Sequence, residues 1–312
     1  MKCSICIATC NRPQGLAKLL ESLLRQQIPD GVSVEWIVVD NTATASARSI
    51  VESYQKQTDV SITYLVQPIK NISLTRNAAV AQASGEYLLF IDDDEMAPAD
   101  WLQQMVSTAQ RFNADGVFGP VLPIYHPTTP AWISRGGFFE EPYTTPATGT
   151  VARAMWSGNC LLRKSILNLV EGPFSPAYGL SGGEDTFLFE SLQRNGAYFI
   201  YGAEAAVYES VPQNRTTLTY LLKRGFKGGN LYSRRLIETA VSHKMWTRLA
   251  LLGQAGLYAT VSLAMTLLVL PHRVAAGLWL IRAAANAGKI CSVFNINPHH
   301  YQVAFKSKAG VE

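Results

Sequence analysis

At 312 residues, 48% hydrophobic and 16% charged with a mean hydropathy of +0.07, the chain is globular in composition, which excludes a disordered polar chain. Its net charge of +4 conceals a split. Residues 1–212 carry 14 Lys+Arg against 21 Asp+Glu (−7), and residues 213–312 carry 13 against 2 (+11), so the C-terminal third calls for an anionic partner: nucleic acid, a phosphorylated ligand or a membrane surface.

The first apolar run, "KCSICIATC", reads as a buried strand. Cys3, Cys6 and Cys10 have a spacing that could serve a metal, but alternation separates Cys3 from Cys6 and Cys10, so they are read as small hydrophobes. Five cysteines, odd in number, predict no disulfide framework and fit a reducing compartment; no N-terminal signal peptide is predicted. In "NRPQGLAKLLESLLRQQ", Leu16, Leu19, Leu20, Leu23 and Leu24 fall on one helical face and Pro13 opens the helix. "VEWIVVD" is a second strand, "NTATASARSIVESYQKQ" a turn and helix, and "ITYLVQ" a third strand. "SLTRNAAVAQAS" reads as a helix ended by Gly85, and "YLLFI" as a fourth strand. Fully apolar strands alternating with helices predict an α/β fold with a mostly parallel sheet flanked by helices.

In such sheets ligands bind outside the carboxyl ends of the strands. That rule gathers Thr9, Asn11 and Arg12, then Asp40 and Asn41, then Asp92, Asp93 and Asp94 onto one edge. Residues 120–150, with six prolines and five aromatics, are expected as a long surface excursion. "FSPAYGLSGGEDTFLFESLQRNG" reads as a Gly-rich loop feeding an amphipathic helix, and "AYFIYGAEAAVYES" as two short strands.

Residues 249–270 form a 22-residue stretch without a charge, long enough to cross a hydrocarbon core. Residues 213–248 before it hold eight Lys+Arg and one acid, with Trp246 at the border. A basic flank, an aromatic border and an apolar span predict membrane association, with the catalytic part on the cytoplasmic side. A second apolar segment, 274–294, carries Arg282 and Lys289 on one helical face and is expected to be interfacial rather than spanning. A buried hairpin is the competing reading.

Four carboxylates, Asp92 to Glu95, lie directly against a buried strand. Asp100 is expected to cap the next helix, but capping does not account for the other four. A hard divalent cation, Mg²⁺ or Mn²⁺, does: such ions favour a few carboxylates plus substrate phosphates. Asp92 and Asp94 would point one way and Asp93 the other.

"SICIATCNRPQGLAKLLESLLRQ", "WIVVDNTA", "RNAAVAQASGEYLLFIDDDEMAP" and "GGEDTFLFESLQRNG", in that order over residues 3–225, resemble the family 2 glycosyltransferases, inverting enzymes of the GT-A (nucleotide-diphospho-sugar transferase) fold, in the manner of bacterial exopolysaccharide enzymes. The resemblance implies a GT-A catalytic domain over 1–225 and a basic, apolar, helical membrane-associated region over 226–312. It implies that Thr9, Asn11 and Arg12 hold the nucleotide, that Asp40 contacts the base, and that Arg76 and Asn77 shape the nucleotide pocket. Asp92 and Asp94 would be the DxD pair meeting ribose and metal. Asp185 would be the catalytic base, with Glu184 binding acceptor or orienting it. Arg215, with Lys223 or Arg224, would stabilise the departing diphosphate.

Two positions depart from the family pattern: Asn41 stands where a second acid is usual, and Glu209 stands near a usual His. The implied function is transfer of a sugar from a nucleotide-sugar donor, expected to be a UDP-sugar, to a lipid-linked saccharide acceptor at the bacterial inner membrane. The alternatives are a nucleotidyltransferase-like enzyme, for which "TCNRPQG" is a poor loop, and a non-catalytic polyanion-binding protein at the membrane. Nucleic-acid binding is not expected, because 22 uncharged residues do not grip phosphates.

Overall fold

The first strand, β1 (Lys2–Thr9), sits mid-sheet because both its faces can be buried. Cys3, Ile5 and Ile7 join the core on one side and Cys6 joins the core on the other, so these two cysteines pack as small hydrophobes on opposite faces. Cys10, past the strand's end, is instead half-buried in a cleft at the sheet's carboxyl edge, its thiol donating to the Asn41 carbonyl. Burial pushes the Cys3 thiol up to about 11, away from thiolate chemistry. The structure, a computed structural model, describes residues 1–140, 145–240 and 243–296.

From β1 the chain builds α1 (Pro13–Leu23), β2 (Ser33–Asp40), α2 (Arg48–Gln55), β3 (Ser61–Val66), α3 (Ile72–Gln82) and β4 (Tyr87–Ile91). Pro13 occupies the first turn of α1, and Leu16, Leu19, Leu20 and Leu23 are buried as their spacing predicts. Asn71 caps α3, its Oδ1 accepting the Leu74 N–H at 3.1 Å. The four strands pair in parallel in the order β3–β2–β1–β4.

Beyond β4 the chain forms β5 (Glu95–Met96), α4 (Trp101–Phe112), β6 (Gly116–Phe118), β7 (Val121–Tyr125), α5 (Ala131–Ser134), β8 (Asn159–Arg163), α6 (Glu184–Arg194), β9 (Phe199–Tyr201) and β10 (Val207–Val211). Strand β8 inserts antiparallel between β4 and β6, and β9 closes the seven-stranded sheet. A smaller sheet, β5–β10–β7, lies over the acidic edge and pairs Glu209 with Glu95.

Three expectations change. Asp100 takes the cap position of α4, but its carboxylate reaches Gln104 Nε2 at 3.2 Å instead of a backbone N–H. The 120–150 excursion is not a free loop. Its β7 belongs to the small sheet, and Ile133 and Phe139 form a core with Val211 and Leu221 because its aromatics need cover; residues 141–144 lie outside the described residues. The division expected after residue 225 falls inside an unbroken helix, α7 (Leu218–Thr239), started by Thr217, whose Oγ1 accepts the Tyr220 N–H at 3.2 Å.

Helix α7 is followed by α8 (Lys244–Leu268) and α9 (Arg273–Val293), and α9 packs against both. A Cβ at Gly229 would overlap the Ala285 carbonyl, and one at Gly288 would overlap that of Phe226, so small residues set how closely α7 and α9 approach. Helix α8 is long and apolar enough to cross a membrane, and it is a candidate for membrane association. It buries Leu251, Ala255, Ser262 and Thr266 while exposing Leu249, Leu257, Leu263, Leu267 and Leu268. Apart from Leu251, small and hydroxylic residues face protein and large apolar ones face outward, the reverse of a helix on a water-soluble core.

Candidate active site

The loops leaving the carboxyl ends of β1 to β4 enclose a cleft of about 470 Å³, a size suited to a small ligand. Thr9, Asn11 and Arg12 line it after β1, Asn41 after β2, Lys70 and Asn71 after β3, and Asp92 to Glu95 after β4. Arg76 from α3, Glu184 from α6, and Glu209 and Arg215 from the small sheet and its exit complete the wall.

The acidic run is divided by its partners. Asp93 is buried, accepting Thr9 Oγ1–H at 2.7 Å and Arg12 Nη1 at 3.0 Å. Burial pushes its carboxyl up to about 6, against the pull of Arg12 and Thr9. Asp94 Oδ2 accepts Arg12 Nη1 at 2.7 Å and lies 3.9 Å from Arg215 Nη2. Asp92 Oδ1 accepts Arg76 Nη2 at 3.2 Å. Burial, then the charges of Asp94 and Asp185, raise the Asp92 carboxyl while Arg76 opposes; its side chain keeps 44% exposure, so solvent moderates the shift. Glu95 is buried and accepts the Asp92 N–H at 2.9 Å, with burial and Asp92 driving its carboxyl well above the ordinary range. Asp93 and Glu95 thus hold the turn, and Asp92 and Asp94 face the cleft.

Those two carboxylates meet the needs of Mg²⁺ or Mn²⁺ on the chemistry of their donor set. They are hard oxygen ligands in a cleft wide enough for substrate phosphates to complete the coordination. Among the described residues no group of three or more His, Cys, Asp or Glu is placed to hold an ion alone. A metal here would therefore depend on its substrate.

Arg76 joins two parts of the site, since its Nη1 contacts Glu184 Oε1 while Nη2 holds Asp92. Burial and the adjacent Asp185 push the Glu184 carboxyl up to about 7 against Arg76, and Glu184 Oε2 is buried with no partner among the described residues. Glu184 and Asp185 open α6 after Gly182 and Gly183, whose φ of +80° and +90° only glycine adopts without strain. Asp185 is held by backbone N–H groups. Its Oδ2 accepts the Ser157 N–H at 3.3 Å and its Oδ1 accepts the Thr186 N–H at 2.6 Å. Arg215 Nη1 donates to Glu209 at 2.8 Å, so the residue standing near the family's usual His anchors an arginine beside Asp94.

Three candidates lie away from the cleft wall: Asp185, which follows the lining residue Glu184, and also Asp40 and Asn77. Asp40 is fully buried, with its oxygens taken by Thr42 Oγ1 (2.8 Å), the Ala47 N–H (2.8 Å) and Tyr64 Oη (2.9 Å). Asn41, one residue on, is the side chain that lines the cleft. Asn77 brackets Phe174, donating to its carbonyl at 2.8 Å and accepting its N–H at 2.9 Å. Arg224 is drawn to the excursion, donating to the Phe138 carbonyl at 3.1 Å. Lys70 and Asn71 escaped the sequence reading; the same strand-end rule, applied to β3, points to them.

A family model described as "Glycosyl transferase family 2" matches residues 4–170. The chain is 35% identical over 291 residues to the succinoglycan biosynthesis protein ExoM of Rhizobium meliloti (strain 1021), covering 93% of this chain and 92% of that protein. It is 32% identical over 218 residues to the GalNAc(5)-diNAcBac-PP-undecaprenol beta-1,3-glucosyltransferase of Campylobacter jejuni, covering 70% of this chain and 67% of that one. The mannosyltransferase PcManGT of Pyrobaculum calidifontis, solved with GDP-Man and Mn²⁺, superposes with a TM-score of 0.59 at 18% identity over 91% of this chain and 86% of its own, a likeness of fold. The chain has the GT-A fold and belongs to glycosyl transferase family 2.

Proposed function

We propose that this enzyme transfers a sugar with inversion from a nucleotide diphosphate sugar, a UDP-sugar in our reading, to a lipid-linked saccharide in exopolysaccharide assembly. The observation that carries the reading is the convergence of Asp92, Asp94, Arg12, Arg76 and Arg215 in one cleft whose wall includes Glu184, the residue before Asp185. Cationic and anionic groups alternate there, as a diphosphate with its counter-ion requires. The kinship with a succinoglycan biosynthesis protein supports the pathway class, and the kinship with an undecaprenol-linked glucosyltransferase supports the acceptor class.

In this mechanism Arg12 and Arg215 bind the diphosphate and fix the anomeric carbon toward α6. The acceptor oxygen attacks that carbon from the face opposite the diphosphate, the bond to the diphosphate oxygen breaks, and the hydroxyl proton passes to an Asp185 oxygen. Contacts from the Ser157 and Thr186 N–H groups hold that carboxylate in place. A divalent ion held by Asp92 and Asp94 would neutralise charge on the leaving diphosphate. Glu184, clamped by Arg76, positions the turn.

The reversed polarity of α8 supports a bilayer against its outer face. Helix α7 ties this region to the catalytic part through Tyr178–Glu238 and Arg235–Glu190, and α9 lies between α7 and α8. That layering favours α8 lying in the interface, and the basic flank favours the cytoplasmic face of the bacterial inner membrane. A panel of nucleotide sugars titrated with and without Mn²⁺ or Mg²⁺ tests the reading. At least one donor binds with metal, and Asp94→Ala removes the metal-dependent gain; a protein that binds none refutes it.

A further inference from the structure

The chain reaches the Glu184–Asp185 pair through a loop held by two different helices. Residues 175–179 are fixed from the start of α3. Asn71 Nδ2 donates to the Pro176 carbonyl at 3.0 Å, Ser73 Oγ to the Ser175 carbonyl at 2.8 Å, and the Ile72 N–H to the Gly179 carbonyl at 3.1 Å. Past Gly179 the loop has less of its own to fix it. Gly182 and Gly183 bring the widest backbone freedom of any residue, and Gly183 stands at the cap position of α6 with no side chain to bond the first turn. A turn of that kind is placed by what grips it from outside.

The grip comes from α7. Arg234 Nη1 donates to Ser181 Oγ at 3.0 Å, its Nε donates to Glu238 Oε1 at 2.8 Å, and its guanidinium lies 4.8 Å over the Tyr178 ring. Glu238 closes the circuit, because its Oε2 accepts the Tyr178 hydroxyl. Tyr178 in turn stacks on Phe187 of α6, with centroids 5.2 Å apart, and its carbonyl accepts the Gly182 N–H at 2.8 Å. Ser181 and Tyr178 are buried, so these contacts form away from water, where a hydrogen bond from a charged group is strong. The i, i+4 pairing of Arg234 with the half-exposed Glu238 would by itself contribute little; here it aims the guanidinium at Ser181. The next residue, Arg235, makes a different contact, pairing with Glu190 at 3.1 Å further along α6. One arginine therefore holds the turn and its neighbour holds the body of the helix.

We propose that Arg234 is a positioning residue for the transfer step. From α7, through Ser181 and Tyr178, it fixes the Gly182–Gly183 turn and so the place of the Asp185 carboxylate. The proposal rests on the glycosyl-transfer reading of the cleft, and adds that the base is placed by the C-terminal helices whereas Arg12, Asp92 and Asp94 stand on loops after β1 and β4. Donor affinity and placement of the base are thus separable.

The test uses the full chain in detergent with Mn²⁺, following UDP release from UDP-glucose, UDP-galactose and UDP-N-acetylglucosamine with water as acceptor. Arg234→Ala should lower kcat about ten-fold and leave KM for the donor and UDP affinity unchanged, the loss expected of a slightly displaced base. Arg234→Lys, which keeps the charge but not the fork, should recover about three-fold of that. Amide exchange over residues 180–186 should quicken about ten-fold in Arg234→Ala, while residues 9–12 keep the wild-type rate. Arg235→Gln loosens the same pair of helices and should stay within about two-fold of wild type in both readouts. Should Arg234→Ala not fold, Tyr178→Phe keeps the ring stack, removes only the hydroxyl, and should lower kcat about three-fold. Equal losses in Arg234→Ala and Arg235→Gln, a KM that rises as kcat falls, or wild-type kcat in Arg234→Ala overturns the proposal. A wild-type protein that releases UDP from none of the three donors instead refutes the transfer reading beneath it, and exchange over 180–186 then still decides whether Arg234 holds the turn.

Discussion

The catalytic half and the α7–α9 region bury opposite things. In the catalytic half Trp101, Phe118, Phe189 and Phe199 are interior and the carboxylates gather at an open cleft. In α8 Ser262 and Thr266 are interior while Leu249, Leu257, Leu263, Leu267 and Leu268 are outside. One rule, that a surface matches its solvent, explains both if the two halves meet different solvents: water at the sheet edge and hydrocarbon along α8. Exposure alone does not distinguish them, because Ile69 beside the cleft is 62% exposed and Leu257 on α8 is 63% exposed. Grouping does: Leu257 has Val261, Leu267 and Leu268 on the same helix, whereas Ile69 stands in a polar loop.

The largest expected effect belongs to the catalytic side. Asp185→Asn should lower kcat by about 10³-fold with nucleotide affinity unchanged, the loss expected of a missing general base. Unchanged turnover would remove Asp185 from the chemistry and leave Glu184 as the only acid of the pair.

The next effect sharpens the contrast of solvents. Leu257→Arg should weaken partition into phosphatidylglycerol vesicles by about 2 kcal/mol, some thirty-fold, whereas Ile69→Arg should leave it unchanged. Equal behaviour of the two variants in a flotation assay would mean that α8 is an ordinary protein surface.

A smaller effect tests the aqueous half. Glu35 accepts Ser4 Oγ–H at 2.6 Å and pairs with Lys2 at 2.7 Å, tying β1 to β2. Burial raises its carboxyl, but the hydrogen bonds from Lys2, Ser4 and Ser84 outweigh this and hold it at about 2. A carboxyl depressed in the folded state stabilises above its unfolded pKa and loses that contribution as pH falls. Thermal melts should therefore decline between about pH 4.5 and 2. Glu35→Gln should lower stability by about 2 kcal/mol at pH 7 and flatten that decline; a parallel pH profile would show that Glu35 is not the titrating group.

Much of this was legible beforehand because the first four strands are buried on both faces and so read as unbroken apolar runs. Where such strands end, Thr9, Arg12, Asp92 and Asp94 stand out, and their convergence follows from a parallel sheet. The rest depends on contacts between distant segments. The closure of Asp40 combines its own following turn, through Thr42 and Ala47, with Tyr64 of β3, so an acid at a strand end looks free until both fold around it. The antiparallel entry of β8 leaves no local signal in "NCLLR". Helix α7 hid within a basic run, and its role became plain only when Gly229 met Ala285. The reversed face of α8 could be suspected from 22 uncharged residues, but which residues face inward is decided by α9.

The central claim is that the cleft and the Glu184–Asp185 turn perform inverting glycosyl transfer. The most direct measurement is NMR of the anomeric centre in product formed from a UDP-α-sugar and a lipid-diphosphate saccharide. The account predicts a β-linked product from the wild type and none from Asp185→Asn. An α-linked product, or equal yields from both proteins, would contradict it.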